Sequence, residues 1–188
     1  MATNINVPNF LSAIRIIGVL PTAYYLWIQE NEIAVILSIF LVITDLADGY
    51  IARKYNLITN LGKILDPLAD KLLAGAVIII LSIQGRIPEW YIALVLGKDV
   101  VLLLGGLYAA RKLKFVIPSN KAGKYAAFVT GITLMFAILN MEFWTDIFIG
   151  ISTFLILFSF VSYVMGGIKK IKEAKIEADD FSEISNEK

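Results

Sequence analysis

The sequence predicts an all-α integral membrane protein with six transmembrane helices, and three observations lead there. Of the 188 residues, 58% are hydrophobic and only 18% are charged, whereas a soluble domain averages about 45–50% apolar and about 25% charged. The mean hydropathy is +0.75. Apolar runs of about 20 residues, the length a helix needs to cross a bilayer, follow one another with short polar breaks and leave no room for a second soluble domain. Cys and His are both absent, which excludes disulfides, thiolate or imidazole metal ligands, and every Cys or His nucleophile or base. Acid–base chemistry falls to Asp, Glu, Lys or Tyr.

The spans lie near residues 10–28, 33–52, 63–84, 89–110, 121–141 and 145–168, so that a six-helix catalytic domain occupies 1–168 and a charged tail 169–188. The first run opens at Pro8-Asn9, a helix start signal. It contains Arg15 and Pro21 and has no basic leader, so it reads as a retained span and not as a cleavable signal peptide. The second and third runs carry Asp45, Asp48, Asp66 and Asp70 towards a shared polar break, and the fourth carries Lys98-Asp99. Lys comes early and acids late in the tail, which reads as a solvated helix end running into disorder.

Thirteen of the 17 basic residues fall between spans two and three, between spans four and five, or after span six, whereas the opposite side has Arg86 alone. Cytoplasmic loops collect Lys and Arg, so both termini and the carboxylate-bearing edge are expected in the cytoplasm.

Four Asp at the edge of two apolar runs require an explanation, because an Asp at the centre of a span costs about 2.5–3.5 kcal/mol even on insertion scales. Asp45 and Asp48 are i, i+3 and share one helix face; Asp66 and Asp70 are i, i+4 and share another. The four can converge across one antiparallel helix pair. Such a cluster repels itself unless cations neutralise it. Either Arg53, Lys54, Lys63 and Lys71 neutralise it as a structural device, or divalent ions do. Hard oxygen donors without His or Cys suit Mg²⁺ or Mn²⁺, with two ions able to fit, and Mg²⁺ typically joins carboxylates to substrate phosphates. Gly49, Ala52 and Gly62 remove bulk where a ligand or a facing backbone comes close, and Arg53 either pairs with a phosphate or snorkels to the interface.

Asp45-x-x-Asp48-Gly49-x-x-Ala52-Arg53, followed after eight residues by Gly62-x-x-x-Asp66-x-x-x-Asp70, resembles the complete signature of the CDP-alcohol phosphatidyltransferases. The resemblance covers roughly residues 7–168. It implies that CMP is displaced from a CDP-linked lipid, usually CDP-diacylglycerol, by the hydroxyl of a second substrate. It also implies that Asp45, Asp48 and Asp66 ligate the metals, that Asp70 completes the metal site and acts as general base, and that Asn9, Gly49, Ala52, Arg53 and Gly62 border the CDP-lipid. A homodimer in the membrane, in contact with its lipids and with no nucleic acid, is the assembly expected. With no Ser or His among the four Asp, direct attack by the hydroxyl is favoured over a phosphoryl-enzyme path.

Lys98, Arg111, Lys112, Lys114, Lys121 and Lys124 cluster at the cytoplasmic half of spans four and five. Charge-assisted hydrogen bonds from such a set suit a phosphorylated acceptor, and Lys98, Arg111, Lys121 and Lys124 are the candidates for binding glycerol 3-phosphate. The loop cations among them also fit a plain positive-inside role. The opening VPNFLSAIRI and the stretch from Asp45 to Lys71 look most like the phosphatidylglycerophosphate synthases of the family. Two departures are Lys98-Asp99, where those enzymes usually have Arg-Glu, and Gly123-Lys124-Tyr125-Ala126-Ala127, which lacks their second Lys. Cardiolipin synthases of the same family, with phosphatidylglycerol as acceptor, typically show Arg-Asp in span four and form the alternative. Outside enzymology the alternative is a divalent-cation carrier, which would place its acids near the midplane, often between inverted repeats; here all four Asp lie towards one edge.

Overall fold

A computed structural model of the chain describes residues 7–55, 62–112 and 121–186, and all its regular structure is helical. Six helices follow in order: α1 Val7–Trp27, α2 Asn31–Lys54, α3 Gly62–Ile83, α4 Glu89–Lys112, α5 Lys121–Ile138 and α6 Glu142–Asn186. Each expected span has its helix. At 1.5 Å per residue even the 18-residue α5 is about 27 Å long, close to the roughly 30 Å of a hydrocarbon core.

Length and hydropathy part company here. Phe10–Trp27 of α1 and Glu142–Ile168 of α6 are long and apolar enough by themselves to cross a membrane, and Ala122–Ile138 of α5 is apolar but shorter. The other three helices carry ionisable residues within their apolar runs: Asp45 and Asp48 in α2, Lys63, Asp66, Asp70 and Lys71 in α3, Lys98 and Asp99 in α4. The chain is an all-helical membrane protein; among the described residues, two helices meet the spanning test on composition alone.

The chain forms two compact units, Met1–Ile92 with Gly131–Asp146, and Ala93–Thr130 with Ile147–Lys188. In the first, α1 packs against both α2 and α3. Its buried positions Ser12, Arg15, Val19, Thr22 and Leu26 recur every three or four residues, while Phe10, Ile17, Leu20, Tyr24 and Trp27 form an exposed apolar stripe. A 3.6-residue period produces both faces. A buried face that mixes polar with apolar residues and a large apolar outer face suit a helix solvated by lipid. Gly18 lets α2 approach: a Cβ there would lie 2.6 Å from the Cδ2 of buried Leu41.

The three hairpin turns of this unit share one geometry. Gln29, Gly85 and Asn140 have φ of 64°, 74° and 61°. Each donates its N–H to the carbonyl three residues back, and the next residue donates to the carbonyl five back, as in Glu30 N to Tyr25 O, Arg86 N to Leu81 O and Met141 N to Phe136 O. These are Schellman caps, which satisfy helix-end carbonyls and reverse the chain. Arg86 adds a further cap: its Nη1 donates to Asn31 Oδ1 at 2.9 Å and to the Ile138 and Ala137 carbonyls at 3.0 and 3.4 Å, so a single guanidinium joins the start of α2 to the end of α5. All three Trp of the sequence, Trp27, Trp90 and Trp144, are exposed at this end, where an aromatic belt meets headgroups.

In the second unit α6 buries Ile149, Ser152, Ile156 and Ser159 and exposes Phe154, Leu157, Phe158 and Val161. Buried hydroxyls turn to their own helices: Ser152 Oγ donates to Ile149 O at 3.1 Å and Thr130 Oγ1 to Ala126 O at 2.8 Å, which satisfies them where water is absent. The helix continues through Asn186, further than the charge pattern of the tail suggested, because no Gly or Pro follows Gly167 and Lys169 and Lys175 each stand four residues before an acid.

Arg86→Met is expected to lower the thermal unfolding midpoint in detergent, by the equivalent of about 2 kcal/mol for a charged donor shared by helix ends. An unchanged midpoint would show that the Schellman caps suffice without it.

Candidate active site

The carboxylates and their partners occupy the end of the first unit away from the Trp. Asp45 lies in the second half of α2, Asp66 and Asp70 in the first half of α3, and Ser12 and Arg15 one turn apart in the first half of α1. Arg15 Nη1 is 2.7 Å from Asp45 Oδ1 and 3.2 Å from Asp70 Oδ1. Ser12 Oγ donates to Asp66 Oδ1 at 2.5 Å. Three of the four signature carboxylates are therefore tied to one face of α1.

Among the described residues, Asp45 of α2 and Asp70 of α3 converge on Arg15 of α1, against which both helices pack. Arg15, from the opening helix, is a counter-cation that was not among those expected. Lys54 Nζ stands over the rings of Tyr50 and Tyr55, at 5.5 and 5.7 Å from their centroids, a cation–π arrangement at the helix end.

Burial divides the cluster into a floor and an opening. Arg15 is 1% exposed, whereas the side chains of Asp45 and Asp70 are 35% and 56% exposed. Among the described residues no three carboxylates are grouped closely enough to hold one ion, and the side chain of Asp48 lies outside those described. The donor chemistry nevertheless suits a hard divalent ion: the groups brought together are carboxylate oxygens, and Asp45 and Asp70 already converge on a single positive charge.

Of the other expected site residues, Gly49 is partly buried in α2 and Gly62 is buried at the start of α3. Asn9, Ala52, Arg53, Arg111 and Lys121 belong to helices, but their side chains lie outside the described residues. Lys98 Nζ pairs with Asp99 Oδ1 at 3.2 Å, and Lys124 is exposed on α5. These two cations belong to the second unit.

Sequence reasoning missed Ser12 and Arg15 as site residues. The available signal was Arg15 itself, because an ionisable residue in a span needs a partner or a wet cavity, and the carboxylate cluster was the natural partner. A polar cavity of about 400 Å³ at the Trp end, bordered by Gln84, Arg86, Asn140, Glu142 and Asp146, was also not foreseen; it contains none of the signature residues.

A sequence model of the family described as CDP-alcohol phosphatidyltransferase matches residues 5–165. A CDP-diacylglycerol–glycerol-3-phosphate 3-phosphatidyltransferase of Aquifex aeolicus is 34% identical over 176 residues, covering 88% of this chain and 98% of that protein. Its namesake in Rickettsia typhi is 34% identical over 171 residues, covering 84% of this chain and 94% of that protein. A Schizosaccharomyces pombe protein named cardiolipin synthase (CMP-forming) / mitochondrial hydrolase fusion protein is 36% identical over 107 residues, 56% of this chain and 18% of that one. With the family match spanning most of its length and the signature carboxylates gathered at one end of three helices, this chain belongs to the CDP-alcohol phosphatidyltransferase family and is a membrane transferase.

Proposed function

We propose that the protein transfers a phosphatidyl group from CDP-diacylglycerol to the hydroxyl of glycerol 3-phosphate and releases CMP, at the cytoplasmic face of a membrane. The observation that carries this reading is the convergence of Asp45 and Asp70 on one positive charge, with Asp66 held beside them by Ser12. The names of the Aquifex and Rickettsia relatives support the donor and the acceptor.

Asp45, Asp48, Asp66 and Asp70 are the residues that would hold two Mg²⁺ or Mn²⁺ ions. Bound there, such ions polarise the phosphoryl group and stabilise the charge of the departing CMP. The chain's own groups do the remainder. Asp70, the more open of the two acids paired with Arg15, accepts the proton of the attacking hydroxyl. The acceptor oxygen forms a bond to the phosphorus bearing the diacylglycerol, the bond from that phosphorus to CMP breaks, and the pair of electrons leaves on the CMP phosphate. Asn9, Gly49, Ala52, Arg53 and Gly62 border the CDP-lipid. Lys98, Arg111, Lys121 and Lys124 bind the phosphate of the acceptor; Lys98 can do so while paired with Asp99 because an ammonium has three donors.

In this reading six spans cross the membrane, with the carboxylate end and both termini in the cytoplasm. The distribution of Lys and Arg supports this, as does the Trp belt at the opposite helix ends. The active form is a homodimer, as the family resemblance implies. A second reading, transfer to phosphatidylglycerol, is favoured by the Lys98-Asp99 pair and by the Schizosaccharomyces relative.

The decisive assay is CMP release by the detergent-purified protein from CDP-diacylglycerol with Mg²⁺ or Mn²⁺, comparing glycerol 3-phosphate, phosphatidylglycerol, inositol phosphate, serine and no acceptor. Release that depends on glycerol 3-phosphate and stops with EDTA is expected; release with phosphatidylglycerol alone reassigns the acceptor. Asp45→Asn and Asp66→Asn should each lower turnover at least about 100-fold, the scale of losing one electrostatic partner of the reacting phosphate, and undiminished CMP release from Asp66→Asn would defeat the metal-site reading. Asp70→Asn should retain CDP-diacylglycerol binding, measured by equilibrium dialysis, while losing about 10²–10⁴ in kcat. Lys124→Ala should raise the KM for glycerol 3-phosphate about tenfold, the equivalent of one charged hydrogen bond, and leave that for CDP-diacylglycerol little changed. An unaltered acceptor KM removes Lys124 from the pocket.

A further inference from the structure

Arg15 is unexplained by the reading above. It lies outside the signature, it is 1% exposed, and its Nη1 is shared between Asp45 and Asp70. A buried guanidinium is expensive unless it is paired and hydrogen-bonded. Two like-charged acids drawn together are expensive without a cation between them. Each problem solves the other. Arg15 is the buried member of both pairs and lies on the same face of α1 that carries Ser12 to Asp66, while both acids stay partly exposed.

We propose that Arg15 is the resident counter-cation of the site: a positioning residue that holds Asp45 and Asp70 together when no divalent ion is bound, and whose charge is exchanged against that of the ion when one arrives. The inference rests on the reading of these carboxylates as metal ligands. It accounts for a charged residue in the first span, and it gives the enzyme a way to lose its ions without α2 and α3 being driven away from α1 by their own acids. Since both cations neutralise the same oxygens, their interactions are antagonistic. By linkage, whatever Arg15 contributes to the ion-free protein it withdraws from ion binding.

The test is a thermal unfolding series on the full-length protein in detergent, in EDTA and across a Mn²⁺ titration, with Mn²⁺ binding followed independently by electron paramagnetic resonance. Arg15→Gln should unfold well below the wild type in EDTA, recover most of that deficit in saturating Mn²⁺, and reach half-saturation at a Mn²⁺ concentration at least about tenfold lower, as expected when a like charge is removed from beside a cation site. Arg15→Lys, which keeps the charge, should stay close to the wild type in both conditions. If Arg15→Gln is recovered folded only when Mn²⁺ is present throughout purification, that too supports the exchange. A deficit of equal size with and without Mn²⁺ makes Arg15 an ordinary structural residue and overturns the proposal. So does a half-saturation that is unchanged or raised in Arg15→Gln, or Arg15→Lys behaving like Arg15→Gln. A wild type that neither binds Mn²⁺ nor gains stability from it overturns the metal reading as well, whereas a responsive wild type with no gain in Arg15→Gln overturns the role of Arg15 alone.

Discussion

A single buried guanidinium shared by two carboxylates organises the first unit of this protein. Arg15 on α1 can reach Asp45 and Asp70 only if α2 and α3 both pack on α1 with those residues at the same depth. The ion pair thereby sets the register of three helices at once. Removing the acids would strand a buried guanidinium, so the contact is a constraint more than a simple source of stability. The stripe that extends from it, Ser12, Arg15, Val19, Thr22 and Leu26, shows what one helix face must supply. Polar groups lie where the chemistry is, small or apolar ones where helices approach, and at Gly18 there is no side chain, so that Leu41 can seat against the helix.

Lipid as solvent explains the remainder of the architecture. The buried hydroxyls of Thr22, Thr130 and Ser152 turn to carbonyls of their own helices, and many large apolar and aromatic side chains face outward, as lipid requires. Among the described residues, α1 and α6 meet a hydropathy test by themselves. The helices α2, α3 and α4 carry Asp45, Asp66, Asp70 and the Lys98-Asp99 pair within their apolar runs, and ionisable groups at such positions need partners.

The pairing of the acids along each helix was legible in advance. The i, i+3 spacing of Asp45 and Asp48 and the i, i+4 spacing of Asp66 and Asp70 are properties of the chain, and helical geometry turns them into shared faces. Arg15 was visible as a charge in a span, but its role was not, because its partners lie 30 and 55 residues away in sequence and local periodicity carries no information about which helix will be the neighbour. Arg53, Lys54, Lys63 and Lys71 offered counter-charges close to the acids in sequence; of these, Lys54 stands over Tyr50 and Tyr55.

By itself the sequence determined the helical class, the number and order of helices, the concentration of acids at one edge and the signature that places the chain in its family, since each of these is written in composition, in 3.6-residue periodicity or in spacing along one element. Tertiary structure decided that α1 is the common partner of α2 and α3, that Ser12 and Arg15 belong to the site, and that Arg86 ties the end of α5 to the start of α2. The division has a physical cause. Spacing within a helix is set by backbone geometry, whereas the pairing of a buried charge is settled only when helices distant in sequence compete to satisfy it in a medium that offers no water.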